Sequence, residues 1–141
     1  MRFVDTNVLL YAVSKDATEV RKARIARALL TDGDLALSVQ VLQEFYVQAT
    51  RAGRADPLTA GQAAALVESW LRFPMQAMSV ELMQAGLAAS VKFRISYWDA
   101  TIVAAARLLG CDVLLTEDLQ DGRNFDGVRV ENPFAPKARG R

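Results

Sequence analysis

The sequence predicts an α/β protein: a three-layer α/β/α sandwich around a central, mostly parallel sheet. Three observations carry that expectation. Short apolar runs of strand length alternate with longer stretches of helical periodicity. Helix-length segments separate most of the strand candidates, which implies parallel pairing through right-handed crossovers. The chain has 141 residues and 52% hydrophobic composition, enough for one domain with a core of its own.

Arg2-Phe3-Val4 is the first strand candidate and stops at Asp5. Residues 6–13 form a short helix that Asp5 or Thr6 can cap. Residues 17–30, rich in Ala, Leu and Arg, form a second helix, ended by Thr31-Asp32-Gly33. Residues 35–38 are the second strand. The helix over 39–52 puts Ser38, Val41, Leu42, Phe45 and Ala49 on one face, with Gly53 as its C-terminal cap. A loop at 55–58 leads into a helix from about residue 59 to 73, which Pro74 stops.

Residues 75–78 form a weaker third strand, and 80–93 a helix despite Gly86. An Ala-rich helix over 98–109 closes at Gly110. Residues 112–116 are a strong buried strand, 117–124 are rich in turn formers, and 128–130 make a short last strand. The domain is expected to span residues 1–134, with 135–141 as a basic tail carrying Lys137, Arg139 and Arg141. No internal repeat or second domain is visible.

Composition removes whole classes of chemistry. With no histidine, the chain has no imidazole base, no His-based triad and no His-ligated zinc. Cys111 stands alone, so there is no disulfide framework and no paired-cysteine motif. A reducing, cytoplasmic setting is expected, because no leader pattern and no apolar stretch of spanning length is present. What remains for chemistry is carboxylates, hydroxyls, amines and a metal.

The carboxylates follow a pattern. Asp5 ends the first strand, and Glu44 lies in the second turn of the helix leaving the second. Asp99 opens the helix that feeds the strand at 112–116, and Asp118 follows that strand. A helix feeding a parallel strand begins at the opposite, carboxyl edge, where such sheets bind ligands. All four therefore converge on one edge. Each also has a simpler reading: helix cap for Asp5, solvated helix face for Glu44, capping box for Ser96–Asp99, turn for Asp118. Those readings leave the convergence unexplained. Two carboxylates about 4 Å apart repel by roughly 4 kcal/mol at an effective dielectric of 20. The cluster must hold protons or bind a hard cation, and oxygen ligands favour Mg²⁺ or Mn²⁺. Metal-assisted hydrolysis of a phosphodiester needs no histidine.

Four segments resemble the acidic motifs of PIN-domain nucleases, and within them the VapC-type toxins of bacterial toxin–antitoxin pairs. They are Asp5-Thr6-Asn7-Val8-Leu9-Leu10-Tyr11-Ala12, Leu37-Ser38-Val39-Gln40-Val41-Leu42-Gln43-Glu44-Phe45, the run from Ser96 to Ala106, and Leu114-Leu115-Thr116-Glu117-Asp118 with the residues to Gly122. Phe125 to Phe134 is similar to the family's last strand and turn, so the resemblance covers residues 1–134. It implies a PIN-like fold and an Mg²⁺-dependent (or Mn²⁺-dependent) endoribonuclease acting as a toxin. Asp5, Glu44, Asp99 and Asp118 become the acidic quartet, with Asp5 and Asp99 as direct metal ligands. Asn7, Ser38 and Thr116 match supporting positions that orient carboxylates, and Asp121 is a further acid with a competing turn role. The implied partners are RNA, a cognate antitoxin protein and, as a homodimer, a second copy.

The net charge of +1 conceals an uneven division: outside the quartet, 17 basic residues face 12 acidic ones. Thirteen of the 17 are Arg, which suits phosphate. Arg21, Lys22, Arg24 and Arg27 share one helix, as a contact for phosphates or an acidic antitoxin, or as a solvated face. Trp98 and Tyr97 flank Asp99, where a base can stack, whereas Phe45, Tyr46, Trp70 and Phe73 suit a core or dimer interface. Two other classes compete. A phosphatase with Asp5 as nucleophile lacks its second acid, because position 7 is Asn7. A non-catalytic RNA- or protein-binding module has no need of an intact quartet.

Overall fold

The computed structural model describes residues 1–136, so the tail expected at Lys137, Arg139 and Arg141 lies outside the described residues. The strands are β1 (Arg2–Val4), β2 (Leu35–Ser38), β3 (Met75–Gln76), β4 (Val113–Leu115), β5 (Asn124–Phe125) and β6 (Val128–Glu131). The helices are α1 (Thr6–Ala12), α2 (Val20–Leu29), α3 (Val39–Ala49), α4 (Ala60–Trp70), α5 (Val80–Phe93) and α6 (Tyr97–Leu108). None of the described helices is long and apolar enough to cross a membrane.

The strands form one sheet in the order β3-β2-β1-β4-β6-β5, parallel except for the β5–β6 pair. From β1 the chain steps outward to β2 and β3, then returns to place β4 on the far side of β1. Right-handed crossovers therefore put α1 to α4 on one face and α5 with α6 on the other. Packing agrees: α1 lies against α2 and α3, α3 against α4, and α5 against α6, which also touches β2, β4 and β6. The reversal of strand order falls between β1 and β4, which makes their carboxyl ends the ligand crevice.

The central strands are covered on both sides, hence their uninterrupted apolar character. Phe3, Val4, Leu35, Leu37, Leu114 and Leu115 are buried, and Val8, Leu9, Val41, Phe45 and Val103 pack onto them from the helices. Ser38, Ser79 and Ser96 cap α3, α5 and α6, while Thr59 and Gln62 form a full capping box on α4. At the end of α6, Gly110 adopts φ +75° while its N–H bonds the Arg107 carbonyl and the next N–H bonds that of Ala106. This Schellman turn feeds the chain into β4. Gly86 has a different purpose: a Cβ there would lie 2.6 Å from Thr101 Cγ2, so its absence lets α5 press onto α6.

Three local features depart from the sequence expectation. Helix α3 ends at Ala49 and is capped by Thr50, short of Gly53. Residues 17–19 form a 3₁₀ turn, because the Asp16 side chain takes the Thr18 N–H and tightens the entry to α2. Beyond β4, Asn124 and Phe125 form a strand that hairpins onto β6 rather than continuing the turn region. Asp126 (φ 52°) and Gly127 (φ 100°) make its two-residue loop. An Asp-Gly pair between strands is the chemistry such a turn demands.

Candidate active site

The four carboxylates arrive at one place. Asp5, Glu44, Asp99 and Asp118 line a single cavity of about 240 Å³, together with Thr6, Asn7 and Trp98. Strand register explains the meeting of the first and last. Val4 pairs with Leu115, so the next residues, Asp5 and Thr116, leave the sheet side by side. Asp5 N–H still bonds the Leu115 carbonyl at 3.1 Å. Glu44 enters from α3 and Asp99 from the first turn of α6.

A polar scaffold holds them. Thr116, fully buried, donates its hydroxyl to Asp5 Oδ2 at 2.8 Å and accepts from Asn7 Nδ2 (2.9 Å) and the Asp118 N–H (3.1 Å). Asn7 Nδ2 also reaches Asp118 Oδ2 at 3.0 Å. Glu44 is half-buried: Thr6 Oγ1 donates to its Oε2 at 2.8 Å, and Gln40 Nε2 to its Oε1 at 3.0 Å. Asp5 serves two ends at once. Its Oδ1 accepts from the Thr6 N–H that opens α1, while the carboxylate forms a wall of the cavity. By contrast, Ser96 caps α6 through the Asp99 N–H, and the Asp99 carboxylate faces the cavity.

Electrostatics follow from the enclosure. Asp5 is 7% exposed, and burial pushes its carboxyl from 3.8 up to about 7. Hydrogen bonds from Thr6 and Thr116 oppose that rise, and the charges of Asp118 and Glu44 add to it. The Asn7 Oδ1 atom is buried with no hydrogen-bond partner, an acceptor left over beside the carboxylates. Among the described residues no three acidic side chains are already drawn together as a metal cage. The oxygens instead stand around the open space of the cavity. That donor set suits a hard cation that keeps much of its hydration and takes one or two carboxylates, as Mg²⁺ does.

Other sequence candidates fall elsewhere. Ser38 caps α3 through the Val41 N–H and lies outside the cavity, so its hydroxyl serves the helix and orients no carboxylate. Asp121 accepts from the Asn132 N–H and staples the loop before β5. In the basic helix, Arg21 bonds the Phe134 carbonyl, Arg27 those of Ala12 and Ser14, and Lys22 pairs with Glu117. Three of the four cations thus fasten the chain to itself. Trp98 is 60% exposed at the lip of the cavity, whereas Phe45 and Trp70 pack edge to face in the core.

Sequence reasoning missed Thr6, Gln40 and the Tyr11–Lys22–Glu117 group. The first two had a signal: Thr6 adjoins Asp5, and Gln40 precedes Glu44 by one helical turn. Tyr11 donates to Glu117, and Lys22 donates to both. The three tie α1 and α2 to the segment bearing Asp118.

Several solved structures share this fold. A toxin–antitoxin complex from Klebsiella pneumoniae matches with a TM-score of 0.70 at 21% identity, covering 95% of this chain and 98% of that one. VapC20 from Mycobacterium tuberculosis, described as a sarcin–ricin loop cleaving toxin, gives 0.64 at 19%, over 84% and 90%. DNA-bound VapBC from Salmonella typhimurium gives 0.65 at 17%, over 94% and 97%. At such identities the likeness is one of fold. Sequence comparison with curated proteins gives no significant match. The PIN domain family model, however, matches residues 2–125, five of the six strands and every carboxylate of the cavity, and the chain belongs to the PIN domain family.

Proposed function

We propose that the protein is a metal-dependent endoribonuclease that hydrolyses RNA phosphodiester bonds as the toxin of a toxin–antitoxin pair. The observation that carries this reading is the convergence of Asp5, Glu44, Asp99 and Asp118 on one cavity, each delivered by a different element. Family membership supports nuclease chemistry, and fold neighbours described as toxin–antitoxin complexes support the toxin role. VapC20, described as cleaving the sarcin–ricin loop, supports RNA as substrate.

Asp5 and Asp99 are the residues to hold Mg²⁺ or Mn²⁺ directly, with Glu44 and Asp118 acting through water. A bound divalent cation supplies activation of water at neutral pH and charge balance at the phosphoryl oxygens. The protein's own part is orientation. Thr116 and the Thr6 N–H fix both oxygens of Asp5, and Thr6 and Gln40 fix both of Glu44. Asn7 anchors Asp118 and offers Oδ1 as an acceptor for a water proton. Trp98 gives an exposed ring for a base beside the scissile bond.

Two uncovered apolar surfaces support the expected protein partners, the antitoxin and a second copy. One is the groove between α3 and α4, about 560 Å³, walled by Val39, Leu42, Tyr46, Val67 and Leu71. The other is the outer side of α5, where Val80, Met83, Leu87 and Val91 are exposed.

The test is cleavage of structured RNA with Mg²⁺ or Mn²⁺, with and without EDTA. Cleavage should require the ion and be lost in Asp5→Asn and Asp99→Asn. RNA that survives equally under all conditions rejects the proposal.

A further inference from the structure

We propose that Gln40 is a positioning residue whose amide sets the spacing of Glu44 relative to Asp5 and Asp99; this rests on the cavity being a divalent-cation site. Gln40 is 4% exposed, unusual for an amide in the first turn of a helix. Its Oε1 accepts from the Thr101 hydroxyl at 2.7 Å. Its Nε2 donates to Glu44 Oε1 at 3.0 Å and lies 3.5 Å from the Trp98 carbonyl. The second oxygen of Glu44 is held by Thr6.

The chain of bonds runs Thr6–Glu44–Gln40–Thr101, from α1 through α3 to α6. Thr6 is next to Asp5, and Trp98 is next to Asp99. The amide ties α3 to α6 and Glu44 carries the tie on to Thr6 of α1, so the elements bearing Asp5, Glu44 and Asp99 are held at fixed separation. Its orientation is dictated. Glu44 and the Trp98 carbonyl are both acceptors and demand the NH₂ end, which turns the oxygen to the Thr101 hydroxyl, whose one proton it shares with the Trp98 carbonyl 2.7 Å away.

No other side chain of that length performs both halves. Glutamate is an acceptor only, and at the position four residues before Glu44 it adds a like charge one turn away. Methionine fills the volume but offers neither function, so Glu44 Oε1 loses its donor and is free to swing. Thr101→Val leaves the shape intact and removes the hydroxyl that faces both the amide oxygen and the Trp98 carbonyl.

The experiment compares wild type, Gln40→Met, Gln40→Glu and Thr101→Val. Mn²⁺ binding is measured by calorimetry, RNA cleavage against Mn²⁺ concentration, and thermal unfolding in EDTA. Mn²⁺ affinity should fall about tenfold or more in both Gln40 variants and less in Thr101→Val, as for other groups that orient metal-binding carboxylates. The Mn²⁺ concentration for half-maximal cleavage should rise in parallel, with KM for RNA at saturating Mn²⁺ unchanged. A drop in unfolding temperature with Mn²⁺ affinity intact would make Gln40 a packing residue and overturn the proposal. If Gln40→Met does not fold, the shape-preserving Thr101→Val decides by the same affinity criterion. Wild type that binds no Mn²⁺ brings down the cavity reading and this proposal with it. Wild type that binds and cleaves while the variants match it brings down this proposal alone.

Discussion

Thr116 donates to Asp5 Oδ2 across 2.8 Å, joining residues 111 positions apart in the chain. The same hydroxyl accepts from Asn7 and from the backbone of Asp118. One oxygen atom thus organises three walls of the cavity. Thr116→Val keeps the shape and leaves Asp5 Oδ2 and Asn7 Nδ2 without this partner. Stability should fall by about 1–3 kcal/mol, and RNA cleavage at a fixed Mn²⁺ concentration by at least tenfold. Chemical denaturation and an initial-rate assay measure the two effects.

Asp5 gives the metal-free protein a defined pH response. Its carboxyl titrates at about 7 in the fold against an ordinary 3.8. Below about pH 4 both folded and unfolded chains hold the proton, and Asp5 favours neither. Between about pH 4 and 7 only the fold keeps it, so stability falls as pH rises, and above about 7 the loss is complete. Roughly three units correspond to a loss of up to about 4 kcal/mol. In EDTA, Asp5→Asn should therefore gain stability over wild type at pH 8 and show much less gain at pH 4. A wild-type-to-variant difference that does not change with pH contradicts the assignment.

A bound ion should reverse that cost. With Mn²⁺ at a hundred times its Kd, unfolding should become harder by about 2.7 kcal/mol, a rise in Tm on the order of 10 °C. The gain should be larger at pH 8 than at pH 5, where the ion must first displace the Asp5 proton. Differential scanning fluorimetry with EDTA back-titration checks this, and Asp99→Asn should show little or no shift.

Glu117 carries no site chemistry, yet it is gripped by Tyr11 and Lys22. The contact holds the segment of Asp118 against α1, and Lys22 also lies 4.8 Å from the centroid of the Tyr11 ring. Tyr11→Phe should lower cleavage several-fold through Asp118 while costing only about 1 kcal/mol of stability. Equal kinetics in wild type and variant would show that Asp118 needs no such anchor.

Gly86→Ala is expected to act at a distance. The added methyl would sit 2.6 Å from Thr101 Cγ2, so α5 and α6 must part or Thr101 must turn. Overpacking of this kind costs about 1–3 kcal/mol. Because Thr101 orients Gln40, Mn²⁺ affinity should weaken as well. Gly61→Ala, in the open first turn of α4, is the control and should leave Mn²⁺ affinity unchanged and stability unchanged or slightly raised.

The sheet was legible because its central strands are apolar on both faces, which makes Phe3-Val4, Leu35 to Leu37 and Val113 to Leu115 stand out from their surroundings. The β5–β6 hairpin was not, since two-residue strands carry no periodicity and only Asp126-Gly127 marks the turn. The four acids were legible through topology: parallel pairing of the strands sends their elements to one edge. Their supports were legible only in part. Asn7 and Thr116 lie in the cavity scaffold, whereas Ser38 is consumed by its own helix. Thr6 and Gln40 carry a signal in their spacing to Asp5 and Glu44, but that they join α1, α3 and α6 depends on which faces those helices turn towards each other, a tertiary fact. The same holds for Arg21 and Arg27, whose carbonyl partners lie on neighbouring segments.

The insertion of β4 beside β1 sets an order of assembly. Asp5 precedes the other site residues along the chain, but its orienting hydroxyl comes from Thr116 and its last acidic companion from Asp118. Closing that pairing encloses over a hundred residues, the kind of long-range contact that forms late. A chain on the ribosome, or one truncated before β4, has the first three carboxylates and no finished site. On the proposed function, cleavage is then a property the molecule acquires only after β4 has paired with β1.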